Sequence, residues 1–139
     1  MRFILQIIIA GTFASCGFVT EQKIIENYYF IATDDSEGMH LSYHESSDEN
    51  DYGTLIGATV FAVGNNDDYM IVKQHPRIFP NPPDKKTTNY YILPLTKGMD
   101  WRTKNGLLGP LTLEQFIKKR KELNIPDSVT FTKVMKDLE

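Results

Sequence analysis

The sequence predicts an α+β domain: an antiparallel sheet of about five to six strands in a meander, with one C-terminal helix packed on it. Three observations lead there. Short runs rich in Ile, Val, Tyr and Phe recur between clusters of Gly, Asn, Asp and Pro, which is how strands and turns alternate. Only one stretch, near residue 112, carries both a helix start signal and helical spacing of apolar residues. The chain has 139 residues, of which 41% are hydrophobic and 24% charged, enough apolar material for one core.

The elements follow in order. Residues 23–32 (KIIENYYFIA) read as a strand by β-propensity. Residues 33–38 form an acidic turn. Residues 39–44 alternate, with Met39, Leu41 and Tyr43 on one side and His40, Ser42 and His44 on the other, as in a half-buried strand. Residues 45–52 (ESSDENDY) are a polar loop. Residues 54–63 (TLIGATVFAV) read as a central strand, with Gly57 marking a bulge. Gly64, Asn65, Asn66 and Asp67 supply turn chemistry, and residues 69–74 (YMIVKQ) return as the partner strand.

Residues 76–88 (PRIFPNPPDKKTT) hold four of the seven prolines, which forbid a regular ladder. Residues 89–93 form the next strand, and residues 107–108 a short one after a turn at 104–106. Thr112 with Gln115 makes a capping box. Leu113, Phe116, Ile117 and Leu123 then share one helix face. Lys118, Lys119, Arg120 and Lys121 sit in the later turns, where positive charge suits the dipole. Asn124 and Pro126 stop the helix. In the tail, Val129 and Phe131 favour a strand over 129–132, while Phe131, Val134, Met135 and Leu138 have helical spacing.

The N-terminus has a different logic. Met1-Arg2 is followed by FILQIIIA over residues 3–10, then small residues and Cys16, the single cysteine. This is the charged, apolar and small-residue layout of a secretory signal. A transmembrane helix needs about 20 apolar residues, and this run is shorter. Plain secretion would leave a free thiol. A bacterial lipoprotein signal accounts for Ala14-Ser15-Cys16, although Phe13 stands where Leu is commoner. In that class the cysteine becomes residue one and carries a diacylglycerol on sulfur, and usually an acyl chain on its amine.

The expected organisation is therefore a signal peptide over 1–15, a lipidated N-terminus and tether over 16–22, and a single globular domain over 23–139. The membrane is the expected partner through lipid on Cys16, on the extracytoplasmic side. Gly17 gives no acidic retention signal, so inner membrane, outer membrane and cell surface stay open.

Charge and motif content narrow the function classes. The net charge of −3 and pI of about 5.6 disfavour nucleic acid as a partner. One cysteine rules out an internal disulfide or a multi-cysteine metal site. No G-x-S-x-G, P-loop or G-x-G-x-x-G pattern occurs. No catalytic residue, cofactor or metal is therefore expected.

His40 and His44 would converge on one ion if helical, but on a strand they stand roughly 13 Å apart. His75 could join a site, or simply end a strand. Residues 34–51 hold seven acidic side chains and no Lys or Arg. Asp48, Asn50, Asp51 and Gly53 fit part of a calcium loop, but Thr59 stands where that loop needs a glutamate. A solvated acidic loop is the simpler reading, with a cation- or small-ligand-binding role for 34–51 as the alternative. The basic run 118–121 could meet anionic lipid heads or form a solvated face.

In the proline-rich segment, Ile78 and Phe79 are the candidate interaction residues. Held outward on a stiff loop they would anchor a protein or envelope partner. The burial tendency of Phe79 instead favours folding back to cap the core.

Three stretches, IVKQHP (71–76), NPPDKKTTNYYILPL (81–95) and GPLTLEQFIKKRKELNIP (109–126), together resemble small bacterial lipoproteins grouped as domain of unknown function 3997. The resemblance covers most of the chain after Cys16. It implies an exported, lipid-anchored domain of one type, and it supplies no activity and no catalytic residue.

Overall fold

A computed structural model describes residues 20–45, 52–95 and 99–139. In chain order the elements are β1 (Thr20–Ile25), β2 (Tyr28–Ala32), a 3₁₀ turn (Ser36–Gly38), β3 (His40–His44), β4 (Tyr52–Ile56), β5 (Val60–Asn65), β6 (Tyr69–Gln74), β7 (Asn89–Pro94), β8 (Leu108–Leu111), α1 (Leu113–Glu122), β9 (Lys133–Val134) and a last 3₁₀ turn (Lys136–Leu138). The strands make two antiparallel sheets, ordered β1-β2-β3-β4 and β8-β7-β6-β5-β9. The α+β class and the meander connectivity hold. The single sheet of five to six strands does not: there are two sheets, of four and five strands.

Two segments, each expected to be a single strand, conceal the extra strands. Residues 23–32 are a hairpin, not one strand. Glu26 takes a left-handed φ of 46°, and Ile25 pairs with Tyr28 around the Glu26-Asn27 turn. The hairpin begins at Thr20, so residues 20–22 belong to β1 rather than to a tether. Residues 54–63 divide at Gly57–Thr59, with β4 in one sheet and β5 in the other. Thr59 there exchanges both backbone hydrogen bonds with His75, at 2.8 and 2.9 Å. Gly57 thus marks a passage between sheets, not a bulge within one.

The two sheets share one apolar cluster. Phe30, Leu41 and Leu55 enter it from the four-stranded sheet, and Val63, Met70, Val72 and Leu93 from the five-stranded one. On β6 and β7 the period of two is clear: Met70, Val72, Tyr91 and Leu93 face the shared core. Ile71 and Ile92 face a second cluster on the other side, with Phe116 of the helix, Ile125 and Val129. Both faces of these strands are covered, which is why they read as nearly unbroken apolar runs.

The helix forms as its start signal requires. Thr112 accepts from the Gln115 amide, and the Gln115 side chain accepts from the Thr112 amide. Of the expected apolar face only Phe116 is buried; Leu113 and Ile117 remain 52% and 46% exposed. Ile125 and Val129, from the segment after the helix, complete the second cluster beside Phe116. Arg120 donates to the carbonyls of Pro126 and Val129 and clasps that segment. The tail pairs with β5 at Lys133–Val134, later than the strand expected over 129–132, because Val129 is held under the helix.

β1, β3 and β4 place Thr20, His40 and Ile56 at one end of the fold, and β6 and β7 place Gln74 and Asn89 there too. His44, Tyr52, Asn65, Tyr69 and Pro94 mark the opposite end. Among the described residues no helix is long and apolar enough to cross a membrane. Residues 1–19, with the expected signal peptide and Cys16, and Asp48, Asn50 and Asp51 of the acidic loop lie outside the described residues.

Candidate functional site

The proline-rich segment 76–88 leaves β6 at the Thr20 end of the fold and is pinned from both sides. At its start, Arg77 is nearly buried, its side chain only 6% exposed. Its Nη1 and Nη2 donate to Oδ1 and Oδ2 of Asp35 at 2.9 and 3.1 Å, the planar fork that suits a carboxylate. Nη2 also stands 3.7 Å from Glu37, and Nε donates to the Asn81 carbonyl at 2.9 Å. Asp35 accepts in addition from the Gly38 amide at 2.7 Å, capping the 3₁₀ turn. The Arg77 hydrogen bonds above all hold the Asp35 carboxyl below its ordinary range, and Asp35 in turn raises Arg77.

At the far side of the loop, His75 donates from Nδ1 to the Thr87 carbonyl at 2.8 Å. A carbonyl can only accept, so the proton sits on Nδ1. The ring stacks on Phe61 at 4.2 Å, and its Nε2 is buried without a hydrogen-bond partner. Asp84 accepts from the Thr87 hydroxyl and the Lys86 amide at 2.7 and 3.0 Å, which hold its carboxyl low. Lys85 donates to the carbonyls of Asp137 and Glu139 and so ties the loop to the tail. Gln74, at the root of the loop, donates to Gly57 O and accepts from Asn89 and Tyr91.

Between these pins the loop turns sharply, with the Asn81 amide donating to the Ile78 carbonyl at 2.9 Å. Ile78 and Phe79 stand at the turn, 80% and 73% exposed. Phe79 does not cap the core: its ring stays in solvent, with the Arg77 guanidinium 5.8 Å from its centroid. The expectation from burial tendency is overturned because the buried Arg77 and Pro83 already root the loop. Beside Phe79 is a pocket of about 160 Å³ lined by Thr33, Asp35, Gly38, Ala58 and Arg77, below the ~300–1,000 Å³ of common small-molecule sites.

The other candidates are dispersed. His40 and His44 lie on one face of β3, as the alternation requires. His44 stacks on Tyr52 at 4.7 Å, and the His40 ring contacts the Gly38 carbonyl. His75 is at the loop root, against Phe61 and Thr87. Among the described residues no group of three or more His, Cys, Asp or Glu could hold a metal ion. Gly53, the glycine of the partial calcium pattern, is required instead by Trp101: a Cβ there would stand 2.0 Å from its Cγ. In the basic run, Lys119 bridges Glu122 at 2.7 Å, and Arg120 is the clasp already described.

Sequence reasoning found the loop and its two apolar residues but missed Arg77, Asp35 and Gln74, which fix them in place. Asp35 and Arg77 are 42 positions apart, and each is an ordinary charge in its own neighbourhood. The nearest signal was the acidic run itself, with no cation inside it to balance Asp35 and Glu37.

Fold and site together define a small two-sheet α+β domain with a pinned, apolar-tipped loop at one end. The chain belongs to the family described as Protein of unknown function (DUF3997), whose model matches residues 25–135. No curated protein and no solved structure matches it.

Proposed function

We propose that the chain is a non-enzymatic contact domain, held by lipid on Cys16 at the outer side of a bacterial membrane, and that segment 76–88 is its contact surface. The observation that carries the contact role is the pairing of exposure with rigidity. Ile78 and Phe79 are the most exposed large apolar side chains among the described residues. The segment bearing them is nonetheless pinned by Arg77, His75, Asp84 and Lys85. A pre-ordered loop loses little further entropy when it binds, and an apolar pair kept in water is a recurrent mark of an interaction surface. Support for the anchor comes from the Ala14-Ser15-Cys16 context after an apolar run too short to span a bilayer.

A cation-binding role for 34–51 has weaker support, since Asp35 and Glu37 already share the Arg77 charge. Calorimetry with Ca²⁺ and Zn²⁺ separates the two readings: heat at sub-millimolar metal would favour the second.

Two measurements test the proposal. Mass spectrometry of the protein from its native membranes should show Cys16 as the first residue, acylated on sulfur; an unmodified thiol ends the anchor. A photo-crosslinker placed at position 78 in whole cells should yield adducts that disappear with Phe79→Ala. Absence of any adduct removes the loop as the contact surface.

A further inference from the structure

We infer that the surface met by Ile78 and Phe79 is the lipid bilayer beside the anchor, entered by the loop tip as an apolar wedge. This deepens the proposed function and rests on its lipid anchor at Cys16.

The argument is one of reach and position. Cys16 and Thr20 are four residues apart, so fully extended chain between them covers about 14 Å. A domain of this length is about 35 Å across. The tether keeps the end of the fold that holds Thr20 within about 14 Å of the membrane, and the opposite end lies beyond its reach. Thr20 pairs with Ala32 at that end. Ala32 leads directly into Thr33–Asp35, and Asp35 grips Arg77 at 2.9 Å. Two residues further on, Phe79 lines the same pocket as Thr33 and Asp35. The chain exit and the loop tip therefore lie at the same end of the fold, the end the tether keeps at the bilayer. A partner protein would have to fit between that end and a membrane the tether keeps close.

The chemistry of this end agrees. An amphipathic element lies in the interface with its apolar side chains about 5–10 Å into the headgroup and acyl boundary, a depth two adjacent side chains at a turn can enter. Three carboxylates near the tip have partners, Asp35 and Glu37 in Arg77 and Asp84 in Thr87 and the Lys86 amide, and a fourth, the exposed Asp34, lines the pocket beside Phe79. The tip itself, Ile78-Phe79-Pro80, carries no charge, so the contact is apolar and needs no anionic lipid. A lipid of zero net charge is the appropriate partner for the test.

With the thiol of Cys16 blocked by acylation, an introduced cysteine is the single free thiol of the chain. The acylated full chain carrying Ile78→Cys is labelled with a nitroxide and reconstituted into phosphatidylcholine vesicles. Its accessibility to oxygen, which concentrates in the bilayer, is compared with that to an aqueous nickel chelate. Thr103→Cys, exposed on the loop beyond the opposite end, gives the aqueous reference.

The expected result is a reversal: oxygen dominates at 78 and the nickel chelate at 103, and adding Phe79→Asp returns position 78 to the aqueous pattern. Nickel-dominated relaxation at 78 on a chain whose Cys16 is acylated overturns the bilayer contact and leaves the anchor standing. Shielding of 78 from both agents also overturns it, in favour of a protein on the loop. An unmodified Cys16 in the native protein removes the anchor and this inference with it.

Discussion

Asp35 shows how one residue serves two elements. Its carboxylate caps the Ser36–Gly38 turn and also holds Arg77, so the turn between β2 and β3 and the loop after β6 are fixed by a single group. Asparagine can keep the cap, because its carbonyl oxygen still accepts from Gly38, but it offers the guanidinium no charge and no second acceptor oxygen. The Asp35 carboxyl is held below its ordinary 3.8 chiefly by Arg77. Its contribution to stability is therefore complete above the ordinary carboxylate range and is lost as pH falls through the lowered folded value. Asp35→Asn should melt below wild type at neutral pH, and the two melting curves should converge as the solution is acidified. A gap independent of pH would show that the pair contributes nothing through its charge. Neither residue was legible as a site, since an isolated Asp and an isolated Arg carry no pattern. The exposed Phe79 was legible as a candidate, but its direction was not, because burial tendency ranks a residue type and says nothing of what already fills the core beneath it.

At the scale of elements, the helix was the most legible part, because its start is written locally: Thr112 and Gln115 are three residues apart and bond reciprocally. Thr112→Ala should cost about 1 kcal/mol by removing the cap. The helix face was less legible, since periodicity gives which side chains share a side and not how wide a stripe the sheet covers. Phe116, 3% exposed and stacked on Tyr90 at 4.9 Å, carries the packing. Phe116→Ala should cost about 3–5 kcal/mol. Ile117→Ala, at a position 46% exposed, should cost well under half as much. Chemical denaturation of the three variants checks the order; equal losses at 116 and 117 would mean that the helix sits lower on the sheet than described. Strand boundaries failed where a turn used no Gly or Pro. Glu26 and Asn27 turn the chain between two apolar runs, and a polar doublet inside a strand looks the same as one inside a hairpin.

For the whole molecule, the division into two sheets was hidden for a physical reason. The residues of β4 and β5 line the same core from opposite sheets, and the crossing Gly57-Ala58-Thr59 carries no charge or proline, so the sequence shows no break there. What holds the sheets together also lies far from what periodicity can read. The tail pairs with β5 at Lys133–Val134, and Lys133 reaches across to the carbonyls of Lys23 and Ile24 in the other sheet. Leu138 then enters the shared core, 4% exposed. The tail passes close over Gly64 of β5: a Cβ there would stand 1.7 Å from the Thr130 carbonyl oxygen, which is backbone and cannot swing aside. Gly53 would also meet a close neighbour, 2.0 Å away, but that neighbour is the Trp101 side chain on a partly exposed loop, which must turn as a whole and leave its Glu45 hydrogen bond to make room, without moving the tail. Gly64→Ala should therefore force the whole tail from β5, with a loss of about 1–3 kcal/mol from the strain alone and early proteolytic cutting within residues 130–139. Gly53→Ala should lose less and leave the tail protected. If the two variants unfold alike, or if the tail of Gly64→Ala resists protease as wild type does, the tail does not clamp the sheets.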